Sequence, residues 1–175
     1  LSSALISLKD GDTLKLNKDV GYSSVISFSQ GEITLDLNGH TLSMDSGAAS
    51  AYQIEVLAGK LTVTDSQDDE GTISFGGHYG VCVSGEGACF ELEAGSLRNV
   101  NISTVAYAVS CTAASGSVLI SGGIIVGRIG VSNATARIDI SGGRIQGVGN
   151  SSLVVSASKG MFHMTGGEIF CGSDV

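Results

Sequence analysis

The chain has 175 residues and a formal net charge of −8, with 26 glycines and no proline. That length is enough for one domain with its own hydrophobic core. The acidic balance excludes a surface built for nucleic-acid phosphates, because such a surface needs clustered Lys and Arg. No apolar run approaches the roughly 20 residues of a transmembrane helix, so no direct membrane insertion is expected.

The first predicted element is a short helix within residues 1–11. Apolar residues at positions 1, 4, 5 and 8 recur at helical spacing, and Ser2 or Ser3 is suited to cap the first turn. Such a helix would cover the first coil of a repeat and hide its unpaired strand edge. The sequence therefore predicts a helical cap at residues 1–11.

Residues 12–175 repeat one phrase, in which two apolar residues flank a polar one and a sharp corner follows. The clearest copies are VLISGGIIVG, IDISGGRIQG and FHMTGGEIFCG. The first apolar position falls at residues 35, 61, 90, 118, 138 and 162, so the intervals run from 20 to 29 residues. Within each phrase apolar and polar residues alternate, and this period of two predicts strands. The glycines that follow the alternating segment predict tight corners.

A repeat of this length predicts a β-solenoid, in which each repeat is one coil and equivalent strands stack in parallel about 4.8 Å apart. A propeller blade needs about 40 residues, and a β-sandwich gives no reason for equivalent phrases at a fixed register. We therefore expect an all-β chain of six or seven coils, forming a single domain over residues 1–175.

The same alignment predicts inward positions upstream of each phrase. Seven residues upstream lie Phe28, Ile54, Val83, Cys111, Val131 and Val155. Two residues further upstream lie Ile26, Tyr52, Val81, Val109, Ile129 and Leu153.

Two N-terminal segments carry a resemblance to a known superfamily. ALISLKDGDTLKLNKDV followed by ITLDLNGHTLS resembles the pectate-lyase-like, right-handed parallel β-helix superfamily. They especially resemble repeat regions of large secreted or surface-attached proteins of gut and other anaerobic bacteria. The resemblance extends to whole phrases within residues 4–44. Over residues 45–175 it is limited to the pattern of alternating apolar residues and corners. It implies a right-handed parallel β-helix and a bacterial extracellular location, but no particular reaction. No cap that matches the N-terminal helix follows FCGSDV, so we expect the chain to be part of a longer protein. The general bias of parallel crossovers also favours the right hand.

Outward columns are where function is expected in a solenoid. Aligned at the corners, one predicted column reads Asp36, Thr62, Glu91, Leu119, Asp139 and His163. A second column reads Thr41, Thr72, Ser96, Ile124, Arg144 and Glu168. The corner column reads Asn38, Thr64, Glu93, Ser121, Ser141 and Thr165. The candidate binding residues are the charged members of the first two columns: Asp36, Glu91, Asp139, His163, Arg144 and Glu168.

Two adjacent pairs within these columns suggest chemistry. Asp139 and His163 should be neighbours about 5 Å apart, which is either the orienting half of an acid–base pair or an exposed ion pair. Arg144 beside Glu168 is predicted to be a surface pair. No third catalytic group is brought near either pair by the register.

Carboxylates for polysaccharide cleavage must converge at about 5–10 Å. On the predicted column Asp36, Glu91 and Asp139 are separated by Thr62 and Leu119, so no convergent set is expected. The sequence also lacks the Gly-His-Gly and Arg-Ile-Lys phrases of polysaccharide hydrolases in the superfamily that it resembles. We therefore predict that the chain is not an enzyme.

The insertion TDSQDDEG, residues 64–71, is the candidate metal site. Asp65, Asp68, Asp69 and Glu70 supply oxygen ligands of the kind that Ca²⁺ prefers. A solvated acidic loop is the alternative, and the loop is too short for an EF-hand. No other cofactor is predicted.

The four cysteines are not expected to form a disulfide framework. Cys111 falls at an inward position, whereas Cys82 and Cys89 point outward from two strands separated by a corner. Cys171 replaces a glycine that follows the corner in other coils.

The favoured prediction is a non-catalytic structural and binding module of a secreted or cell-surface bacterial protein, for adhesion or glycan contact. Its expected partner is a glycan or a host or matrix surface protein. One alternative is a fragment of a polysaccharide lyase or glycoside hydrolase that acts on acidic polysaccharide. Another is a mechanical spacer or stalk. For stacking on sugars the chain offers Tyr22, Tyr52, Tyr79 and Tyr107 but no Trp.

Overall fold

The computed structural model describes residues 1–45, 52–67, 71–99, 106–148 and 154–171. These residues form the helix α1 (Ser2–Ser7) and twenty short strands. In chain order the strands are β1 (Thr13–Lys15), β2 (Val20–Tyr22), β3 (Ile26–Phe28), β4 (Glu32–Asp36), β5 (Thr41–Met44), β6 (Tyr52–Val56), β7 (Lys60–Thr64), β8 (Thr72–Phe75), β9 (Tyr79–Val83), β10 (Cys89–Leu92), β11 (Ser96–Asn99), β12 (Tyr107–Cys111), β13 (Ser117–Ile120), β14 (Ile124–Val126), β15 (Ile129–Val131), β16 (Arg137–Ile140), β17 (Arg144–Gln146), β18 (Val155–Ala157), β19 (Met161–Met164) and β20 (Glu168–Phe170).

Every third strand belongs to the same parallel sheet. Sheet 1 has the order β1-β4-β7-β10-β13-β16-β19, sheet 2 has β2-β5-β8-β11-β14-β17-β20, and sheet 3 has β3-β6-β9-β12-β15-β18. The described strands thus make six coils of three strands and two strands of a seventh. This arrangement confirms the predicted parallel β-helix.

The core is built from inward side chains that stack from coil to coil. One sheet 1 column consists of Ile33, Leu61, Phe90, Val118 and Ile138, each no more than 4% exposed. Burying a side chain of this size contributes about 1.5–3 kcal/mol. The next member, Phe162 in the last described coil, is 41% exposed.

The register of sheet 1 differs from the predicted one in its early coils. Leu35 pairs with Val63, and Leu61 pairs with Ile33, so the predicted match of Leu35 with Leu61 is wrong by two residues. Five residues separate Leu35 from Thr41, whereas the later corners have three residues at the equivalent place. Aligning phrases by their glycines concealed this longer corner.

Sheet 3 shows the same kind of error at two coils. Phe28 pairs with Val56 rather than Ile54, and Val131 pairs with Ala157 rather than Val155. The segment that joins sheet 3 to the next strand of sheet 1 varies in length. Leu61 follows Val56 by five positions, whereas the equivalent Phe90 follows Val83 by seven, so a fixed distance upstream of the phrase does not mark equivalent positions. In the middle coils the prediction is confirmed, and buried Cys111 lies between Val83 and Val131.

The N-terminal helix packs against the first coils as expected. Leu1, Leu5 and Leu8 contact the core, whereas Ile6 is 87% exposed. The predicted serine cap is wrong, because the helix starts at Ser2 with no side-chain cap hydrogen bond. Within the described ranges no helix has the length and apolarity needed to cross a bilayer.

The four cysteines are free thiols. Cys82 points outward from β9 and is nevertheless fully buried, so other side chains must cover it. Cys89 is partly buried and Cys171 is exposed.

The Ser-Gly-Gly corners of successive coils lie directly against one another. Gly143 has φ +75°, and a Cβ built there would lie 2.5 Å from the carbonyl oxygen of Gly122 and 2.8 Å from that of Gly123. The Arg144 N–H donates to the same Gly123 oxygen at 2.9 Å. Glycine is therefore required both by the backbone conformation and by the close stacking of coils.

We expect Gly143→Ala to lower the free energy of unfolding by about 2–4 kcal/mol, since it adds a steric clash to an unfavourable φ. Gly87→Ala is the matched control, because Gly87 has φ +69° but no atom within 4 Å of its added Cβ. It should cost only about 1–2 kcal/mol. Urea unfolding measures both, and equal losses would show that the corners do not stack closely.

Candidate functional site

Charged side chains on the outer face of sheet 1 are held in pairs. The Nζ of Lys60 lies 2.5 Å from Glu91 Oε2. The Nε of Arg137 lies 2.8 Å from Asp139 Oδ2, in an ion pair rather than an aligned hydrogen bond. As predicted, Asp139 and His163 are register partners, with His163 Nδ1 3.6 Å from Asp139 Oδ1.

These contacts are those of structural ion pairs. Glu91 and Asp139 each have a cation within hydrogen-bonding distance, and Leu119 lies between them on the column. The side chain of His163 is 69% exposed, in the last described coil. The exposed pair of Asp139 and His163 contributes about 0–1 kcal/mol.

Asp36 is a buried corner anchor and not a member of the outward column of Glu91. Its side chain projects between Lys15 and Thr64, whereas Thr62 is the neighbour of Glu91. Asp36 is only 6% exposed. The predicted place of Asp36 on that column is therefore wrong, and the cause is the longer corner after β4.

Three hydrogen-bonding partners from three coils converge on Asp36. Its Oδ1 accepts the backbone N–H of Asn38 at 2.9 Å and that of Ser66 at 3.0 Å. Its Oδ2 lies 3.1 Å from Lys15 Nζ. Burial by itself raises the pKa of Asp36, but the bonds from Ser66, Lys15 and Asn38 outweigh it, so the net pKa is lowered.

The predicted calcium loop has one described carboxylate, Asp65, and that carboxylate binds the backbone. Its Oδ1 accepts N–H groups of Gly39 at 2.7 Å and Gln67 at 3.2 Å, and its Oδ2 accepts the N–H of Gly71. The other predicted ligands, Asp68, Asp69 and Glu70, lie outside the described residues. Among the described residues no group of three His, Cys, Asp or Glu side chains could hold a metal.

Arg144 and Glu168 are register partners on sheet 2, as predicted. The guanidinium of Arg144, however, lies 4.2 Å from the ring centroid of Phe170. In the part of the chain that the structure describes, no ion pair joins Arg144 to Glu168. The predicted salt bridge is therefore replaced by a cation–π contact.

Three tyrosines form a ladder that sequence reasoning missed. Tyr52, Tyr79 and Tyr107 are the first residues of β6, β9 and β12 and are register partners. The ring centroids of Tyr52 and Tyr79 are 5.1 Å apart with an interplanar angle of 55°. Those of Tyr79 and Tyr107 are 6.3 Å apart at 13°. We call these three residues the tyrosine ladder.

The rings of the ladder lie across the outer surface of sheet 3. The outward Cys82 is buried because the side chains of Ser110, Thr112 and Tyr52 lie against its thiol. A Cβ on Gly130 would lie 2.6 Å from Tyr107 Cε1. Small residues at these outward positions therefore make room for the rings of the preceding coil.

Two further side chains border the ladder. The guanidinium carbon of Arg128 lies 4.6 Å from the Tyr107 centroid, and the His78 ring meets Tyr79 edge-on at 6.4 Å. Burial, with contributions from Cys82, raises the pKa of Tyr52 to about 12. The Tyr52 ring therefore stays uncharged at neutral pH.

A sequence signal for the ladder was present. Each of the three tyrosines opens a similar phrase, YQIEV, YGVCV or YAVSC, at intervals of 27 and 28 residues. The fixed alignment instead matched Tyr52 with Ile26, which pairs with Ile54. Aligning these phrases on one another would have revealed the ladder.

Comparison of the chain with known protein families, with curated proteins and with solved structures found no match.

The lowered pKa of Asp36 makes the stability of the fold pH-dependent. The contribution of Asp36 is fully present above its unfolded pKa, near 3.8, and is lost as pH falls through the lower folded value. Asp36→Asn should cost at least about 1 kcal/mol at neutral pH and flatten the acid limb of a plot of unfolding free energy against pH.

Glu86→Gln controls for the change in net charge, because Glu86 is exposed. Urea unfolding across the acid range measures both variants. An acid limb in Asp36→Asn as steep as in the wild type would show that Asp36 is not an anchor.

Proposed function

We propose that the chain is a non-catalytic structural and binding module of a secreted or surface-attached bacterial protein, and that it contacts a glycan. The tyrosine ladder is the observation that carries this proposal. Its three rings are half-buried and follow one another on the outer surface of a rigid solenoid. Tyrosine rings supply large, rigid, amphipathic contact area at low entropic cost.

The electron-rich face of an aromatic ring suits the polarised C–H groups on one face of a sugar. Polar atoms for sugar hydroxyls lie beside the ladder, in His78 and in the partly buried Glu55. This mixture of apolar face and polar border is typical of binding sites for small polar ligands.

The extracellular setting is supported by the fold together with the N-terminal phrase ALISLKDGDTLKLNKDV. We therefore propose membership of the pectate-lyase-like, right-handed β-helix superfamily. The pairing of Glu91 with Lys60 and of Asp139 with Arg137 favours a structural over a catalytic role for these carboxylates.

A glycan array probed with the wild-type chain and with Tyr79→Leu tests the glycan contact. The wild type should bind at least one glycan class, and the variant should bind it at least about tenfold more weakly, because stacking on the central ring is lost. Tyr22→Leu is the matched control, since Tyr22 lies in the first coil outside the ladder.

Two results would contradict the proposal. Wild-type chain that binds neither glycans nor matrix proteins would favour a mechanical spacer. Turnover of pectin, alginate or glycosaminoglycan that is abolished by Asp139→Ala would favour a carbohydrate-active enzyme.

A further inference from the structure

We propose that the tyrosine ladder binds an uncharged, linear glycan whose chain runs along the solenoid axis, with one sugar unit on each coil. This inference rests on the proposed glycan contact and specifies the chemistry and direction of the ligand.

The direction follows from the register of sheet 3. Tyr52, Tyr79 and Tyr107 occupy one position in three successive coils, so the line through their rings is parallel to the solenoid axis. Their centroid separations of 5.1 and 6.3 Å are comparable to the length of one pyranose unit in an extended chain. A linear glycan can therefore contact successive rings with successive sugars, whereas a compact ligand contacts only one.

The rings leave part of their faces open for this contact. Two aromatic rings in full face-to-face overlap would have centroids about 3.5–4 Å apart. At 6.3 Å and 13° the rings of Tyr79 and Tyr107 are nearly parallel but too far apart for full overlap, and the Tyr52 ring is tilted by 55° to that of Tyr79, so each ring leaves part of its neighbour's face uncovered. The half-buried state of all three rings agrees with one edge packed on sheet 3 and the remainder facing solvent.

The charges around the ladder favour an uncharged ligand. The chain carries a net charge of −8, which repels acidic polysaccharide at long range. Glu55 adds a negative charge close enough to Tyr52 to influence its ionisation. Among the described residues, the cation that contacts the ladder is Arg128, and its guanidinium lies over the Tyr107 ring.

The ladder also sets the length of the ligand. Three rings lie in sequence, and Arg128 lies over one face of Tyr107, the last of them. Affinity should therefore rise from monosaccharide to trisaccharide, and further sugars should add little because they extend beyond the rings.

Isothermal titration calorimetry with defined oligosaccharides tests the inference. The neutral probes are cello-, manno- and xylo-oligosaccharides from mono- to hexasaccharide, and the acidic probes are oligogalacturonates of the same lengths. We expect at least one neutral series to bind, with affinity that levels off at the trisaccharide and is insensitive to added salt, because no charge pairing is involved.

Variants assign the binding to the ladder. Tyr79→Leu should weaken neutral binding at least about tenfold, Tyr79→Phe should retain it because the ring remains, and Tyr22→Leu should leave it unchanged. Circular dichroism and thermal unfolding establish that each variant is folded. If Tyr79→Leu is unfolded, Tyr52→Leu and Tyr107→Leu provide the same test at the neighbouring rings.

The outcomes separate this inference from the proposed function. Preferential binding of oligogalacturonates, weakened by salt and unaffected by the tyrosine variants, would overturn the inference but leave a glycan-binding module. Neutral binding that is unchanged in Tyr79→Leu would also overturn it. Absence of binding to either class would overturn the inference, whereas absence of binding to every glycan on the array would overturn the proposed function itself.

Discussion

Vertical registration of one coil on the next is the constraint on which the whole structure depends. Parallel backbone hydrogen bonds are made only if the strands of each coil lie in register with those of its neighbour, and corners of equal length then stack closely. The glycine pair at 142–143 shows how close this stacking is, since a Cβ on Gly143 would clash with two carbonyl oxygens of the coil below. Once the corners coincide, inward positions become continuous apolar columns such as the one from Ile33 to Ile138.

The same registration stacks outward residues of successive coils into columns. It therefore determines which outward side chains are neighbours. Like charges in adjacent coils would repel at the rung spacing. Lys60 instead contacts Glu91, and Asp139 lies between Arg137 and His163. Aromatic rings in adjacent coils, unlike like charges, attract each other. A repeated tyrosine therefore forms a continuous surface that a single tyrosine could not provide.

The sequence was sufficient to predict the parallel β-helix, the inward position of Cys111 and the contact between Asp139 and His163. Each of these depends on coils with the same short corner. The position of Asp36 could not be predicted, because its corner is two residues longer and adopts positive φ at both Asn38 and Gly39. The ladder was missed for a related reason, since the segments that join sheet 3 to the next strand of sheet 1 differ in length. Corner lengths are set by backbone packing, which alternation of apolar residues does not encode.

Nuclear Overhauser effects between backbone protons of neighbouring coils test this registration most directly. In parallel strands such contacts join residues that are register partners. The structure predicts contacts between Ile33 and Leu61 and between Tyr52 and Tyr79. Contacts between Leu35 and Leu61, or between Ile26 and Tyr52, would contradict the register and with it both the anchor at Asp36 and the tyrosine ladder.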